Sequence, residues 1–213
     1  MNKNAKLALY MKEHVSLYIF VAVILVTGVI FGAVMVNALT LEQKQELTRY
    51  LGNFFLTVDQ NALGDAQASL QQSFAMHIKW VLIIWILGLS VIGLPLILIL
   101  DFLKGVLVGF TVGYLAQQLS WKGMMFALVA VVPQNIVVIP VIVISSVTAM
   151  AFSIYLVKNR FMQRKGAISG QLVRYTATVL SLGAVLFGIS LFETYVSPVM
   201  MKWVTPALVS LAS

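Results

Sequence analysis

The sequence predicts an all-α integral membrane protein with about five transmembrane helices. A long fourth apolar region is broken at Pro133-Gln134-Asn135, and an αα-hairpin lies outside the cytoplasm. Three observations carry this reading. Hydrophobic residues make up 61% of the 213 and charged residues only 10%, with a mean hydropathy of +0.97, far too little polar surface for a soluble domain. Several apolar runs reach about 18 residues or more, the length that crosses a bilayer. The net charge of +7 is gathered mainly beside those runs, where it reads as an orientation signal. Membrane lipids are therefore expected partners and nucleic acid is not.

Residues 1–14 form a basic start carrying Lys3, Lys6 and Lys12, and the first span covers 15–36. At 22 residues this run is long for a signal-peptide core and no clear cleavage site follows, so it reads as an uncleaved helix. Residues 37–77 are polar and helical by pattern, because Leu47, Tyr50, Leu51, Phe54, Phe55 and Val58 recur at three- and four-residue spacing. Thr40 with Gln43 three positions later forms a capping box for the first of two helices. Asn61 and Gly64 separate it from the second. The hairpin either buries its own stripe on the membrane or offers Tyr50, Phe54 and Phe55 as an outer docking face.

The bundle proper covers 78–197. Its first span is entered through Lys79, Trp80 and Trp85, residue types suited to the membrane interface. The turn that follows lies near Gly93 to Pro95 or at Asp101 to Lys104. The later position is preferred as the cytoplasmic boundary, since Asp101 and Lys104 are costly in lipid; the earlier one would make them a buried pair and a functional candidate. Gly105, Gly109 and Gly113 form a tandem small-residue ridge in GVLVGFTVG, and Gly28 and Gly32 a second pair. Such ridges let backbones approach closely, within the chain or against a partner helix.

The apolar stretch 123–157 would be about 52 Å long as one helix, against a hydrocarbon core of about 30 Å. Pro133 removes a donor and disfavours helix at Val132, so the break belongs there. Gln134 and Asn135 can cap the freed backbone groups or line a polar pocket, and Pro140 kinks the span that follows. A basic loop, 158–171, leads to the last crossing, and 198–213 is too short to cross again and reads as an interfacial tail. Nine basic residues fall on the side of the N-terminus and five on the other. That bias puts the N-terminus in the cytoplasm and the C-terminus outside.

No reaction centre emerges. His14 and His77 are assigned to opposite sides and neither belongs to an HExxH pair. Ser90, Ser145, Ser146 and Ser181 have no histidine in a neighbouring span, and no phosphate-binding loop appears. Neither catalytic residues, a metal site nor a cofactor is expected. A small-solute transporter or permease-like subunit remains the alternative, with Asp101, Lys104 and Glu193 as its ionisable groups and Pro133-Gln134-Asn135 as its broken helix.

In order along nearly the whole chain, MNKNAKLALYMKEH, the outer helical segment, DFLKGVLVGFTVGYL, the PQN motif and KNRFMQRKG resemble the stage II sporulation protein M family of endospore-forming bacteria. The wider superfamily often carries Pro-His-Gly, followed by Glu before a second proline, in that region. Here Pro133 and Pro140 remain, while Gln134, Asn135 and Val138 stand where His, Gly and Glu would be, so no proton or metal role is carried over. The resemblance implies a non-enzymatic scaffold in the engulfing membrane at the sporulation septum. It also implies two partners, stage II sporulation proteins P and D, which cut septal peptidoglycan.

Overall fold

The computed structural model describes residues 15–59, 65–90, 92–158 and 168–204, and every regular element among them is helical. The basic start 1–14, most of the basic loop 158–171 and residues 205–213 of the tail lie outside the described residues. Helix α1 is Val15–Met35, extended by a 3-10 turn at Val36–Ala38. Next come α2, Leu41–Asp59, and α3, Ala66–Gly88. The bundle is completed by α4, Gly93–Ala130, α5, Val132–Val157, and α6, Ile168–Tyr195, with the short α7 at Ser197–Val204. Five of these helices are long and apolar enough to cross a membrane, which makes this a multi-pass membrane protein.

Helix α5 occupies the centre. Ser145 to Met150 are all buried, and α5 packs against α1, α3, α4 and α6. The main core joins Val21, Ile84, Ile97, Val138, Ile142 and Leu186 from those same five helices. Outward faces remain apolar, as with Ile19, Val23, Ile30 and Val34 on α1, because their solvent is lipid.

The α3–α4 turn is the early one. Helix α3 ends at Gly88 and α4 begins at Gly93, so the preferred turn at Asp101 to Lys104 is corrected: both residues lie inside a span. At the turn a side chain on Gly93 would collide with the Leu87 carbonyl. The carbonyls at the end of α3 are taken up by side chains from other helices. Ser153 Oγ donates to Gly88 O (2.7 Å) and Ser90 O (3.1 Å), and the Tyr175 hydroxyl donates to Trp85 O (2.9 Å). Leu89, Ser90 and Ile92 are exposed at that turn, and side chains of neighbouring helices supply its capping.

Helix α4 is 38 residues long and bends back on itself. Leu115 packs in one cluster with Phe126 and Ala127, which a straight helix would hold about 16 Å further along its axis. The segment after the bend ends at Ala130, and Val131 (φ −99°, ψ −42°) joins it directly to α5. Helix α2 lies over this bend. The Tyr114 hydroxyl donates to Lys44 O (2.8 Å), and Leu51 of α2 and Met201 of α7 pack against the same cluster. The capping box is present at the start of α2: Thr40 N donates to Gln43 Oε1 (3.0 Å) and Gln43 N to Thr40 Oγ1 (3.3 Å).

Candidate functional site

Depth in the membrane follows from the pairing of α1 with α4. Gly105, Gly109 and Gly113 meet Leu25, Val29 and Ala33 in step, and one turn further on Gln117 Nε2 donates to Asn37 Oδ1. Gly28 and Gly32 face Phe102, Gly105 and Val106 across the same seam. A Cβ at any of the first four ridge positions, Gly28, Gly32, Gly105 or Gly109, would overlap a carbonyl of the facing helix. The two ridges are thus one backbone-to-backbone interface inside the chain. Helix α1 has 21 residues and no charged side chain, about 32 Å of helix for a core of about 30 Å. That length matches one crossing, so Leu25 at its middle, and the α4 residues beside it, Asp101 to Gly105, stand near mid-height of the span.

Polar side chains converge at that depth. Asp101 is 0% exposed and its Oδ1 accepts from Ser146 Oγ at 2.7 Å, while Oδ2 has no hydrogen-bond partner among the described residues. The neighbouring Ser145 hydroxyl, 1% exposed, is likewise unpaired. Lys104 does not pair with Asp101. Its ammonium sits 5.8 Å from the centre of the Trp80 ring. Glu193 accepts from Ser73 Oγ and lies 2.8 Å from His77 Nε2. His77, placed in the outer hairpin by the sequence reading, belongs to the continuous helix α3 and is only 9% exposed.

The same helix presents a second face. Gln72, Met76, Lys79 and Ile83 follow a helical stripe, and with Ala75, Trp80 and Leu100 they line a groove of about 440 Å³ between α3 and α4. Lys79 is exposed. Lys79 and Trp80, read from sequence as interfacial, stand at the level of Leu100 and Lys104 of α4.

The break motif has a modest local role. Val131, not Pro133, is the joint. Pro133 is the second residue of α5, where a missing N–H costs nothing. Asn135 Nδ2 donates to Val131 O at 2.8 Å and so caps the end of α4, with half-buried Gln134 beside it. Pro140 stands exposed inside a continuous α5. On α2, Tyr50 is 60% exposed and Phe54 39%, while the Phe55 side chain lies outside the described ones. Sequence reasoning missed Ser146, Ser73 and the His77–Glu193 pair. The available signal was polar residues inside otherwise apolar spans, which must find partners in lipid.

Residues 21–198 match the family model described as Stage II sporulation protein M. No curated protein and no solved structure matches the chain.

Proposed function

Because the chain belongs to the stage II sporulation protein M family, whose members are sporulation membrane proteins, we propose that it serves engulfment as a non-enzymatic scaffold. In this reading it gathers and orients membrane-anchored septal wall hydrolases, stage II sporulation proteins P and D, at the sporulation septum. The N-terminus faces the cytoplasm and the C-terminus the outside. The observation that carries the reading is the family match, which covers three of the five candidate spans whole and most of the first and the last. The architecture supports it. The bundle exposes apolar faces on α1, α3, α4 and α6, surfaces on which single-span partners can pack, while α2 presents Tyr50 on the outer side.

The test is co-purification from mild detergent with the protein P homologue, full-length and with its membrane helix replaced by an unrelated one. Loss of capture only with the swapped helix places recognition in the bilayer. Equal capture moves it to the outer segment, and no capture of either form overturns the scaffold reading. The buried Asp101 and Ser146 keep a second reading, small-solute transport, in play. It requires solute flux by the purified chain in vesicles that Asp101→Asn abolishes.

A further inference from the structure

Among the described residues, Lys79 is an ionisable group of the membrane interior with no ion pair, hydrogen bond or ring contact within the chain. His77, two residues earlier, turns inward to Glu193 and Ser73. Lys104 lies against Trp80 and Asp101 against Ser146. Lys79 points instead to the lipid side, in a groove whose other walls are Met76, Trp80, Ile83 and Leu100, with Gln72 at one end.

A phospholipid headgroup is too far away to be its counter-ion. Lys79 stands about 14 Å along the helix from Gly88 and about 20 Å from Ala66, with the headgroups about 15 Å from the midplane on either side. Cations at this depth face a cavity or pair with an opposite charge. The groove supplies the cavity and leaves the pair incomplete. A stripe of Gln72, Met76, Lys79 and Ile83 at i, i+4, i+7 and i+11, flanked by Ala75, Trp80 and Leu100, matches a second helix lying alongside with one anionic or strongly accepting group opposite its single cation.

We propose that the α3–α4 groove around Lys79 seats the transmembrane helix of a partner that carries an acidic side chain near its own midpoint, with Lys79 as the counter-charge. The inference deepens the scaffold reading and rests on it for the existence of a single-span partner. The stripe then provides packing and Lys79 provides register, because only a carboxylate at the matching depth completes the pair.

The experiment places the full chain in phosphatidylcholine vesicles with a labelled leucine–alanine helix of roughly 22 residues, enough to span, bearing Glu at its centre. The same helix without Glu is the control, and energy transfer reports association. The Glu helix is expected to associate about tenfold more tightly than the control. Lys79→Met and Lys79→Gln should abolish the difference and Lys79→Arg should keep it. Equal association of both helices overturns the proposal, as does a preference that survives in both neutral variants. Loss of the preference when phosphatidylglycerol is added at equal ionic strength also overturns it, since an anionic lipid then holds Lys79. If the probe fails to dock but the wall hydrolase still co-purifies, this inference falls and the scaffold reading stands; docking of the probe without capture of the hydrolase overturns the scaffold reading and with it the wall hydrolase as occupant, leaving only the groove's preference for an acidic helix.

Discussion

The α1–α4 seam and the α3 helix solve the problem of holding helices together in lipid in opposite ways. Along the seam, Gly28, Gly32, Gly105 and Gly109 bring two backbones into contact with no side chain between them. Attraction there comes from dispersion over a close-packed surface, since lipid tails supply no hydrophobic drive between helices. Helix α3 instead uses polar groups: His77 and Ser73 to Glu193, and its last carbonyls to Tyr175 and Ser153. The seam depends on shape and fails when anything is added. The α3 contacts depend on chemistry and fail when something is removed.

The sharpest way to break that contrast is addition at the seam. Gly109→Leu places a side chain where the Val29 backbone lies and should cost about 3 kcal/mol or more. The expected result is little monodisperse protein in mild detergent, and a melting temperature like that of the parent would show that α1 and α4 do not meet there. Removal on α3 comes next. Glu193→Ala leaves His77 buried without its partner and should cost about 2 kcal/mol, between the value for broken buried pairs in water and the smaller one inside membranes. Reversible denaturant unfolding would measure it, and an effect below about 0.5 kcal/mol would mean the pair is formed at no net gain. Tyr175→Phe keeps the ring stacked on Phe152 and deletes only the hydroxyl that caps Trp85 O. A loss of about 1 kcal/mol is expected, with faster amide exchange at the end of α3. The smallest effect reverses the first. Gly52 in α2 has nothing within 4 Å of an added Cβ, so Gly52→Ala should raise stability by about 0.5 kcal/mol. Glycine replaced at two helical positions thus gives opposite signs, decided by what stands opposite.

Residues with purely local requirements were the legible ones. Thr40 and Gln43 satisfy each other within one turn, so their spacing alone announced the start of α2. The glycine spacing showed that a face existed for close approach. Of the two turn positions the sequence allows, the preferred one fails because the groups that offset the cost of Asp101 and Lys104 in lipid come from distant parts of the chain. Ser146 is 45 positions from Asp101, and Trp80 reaches Lys104 from another helix. His77, which the sequence places at the end of the outer hairpin, is legible as a buried residue only through Glu193, 116 positions away.

The sequence by itself determined the solvent, the number of candidate spans and the family, because these follow from composition, run length and residue order along the chain. Tertiary structure decided that the two glycine ridges face each other, that α4 folds back over Leu115, and that Asp101 and Lys104 lie inside a span and not at its end. It also left Lys79 facing outward while its neighbours found partners. The physical reason is range. Apolar transfer and helix capping act on a residue and its near neighbours, whereas the depth of a charge and the partner it meets depend on which helices pack side by side and in what register.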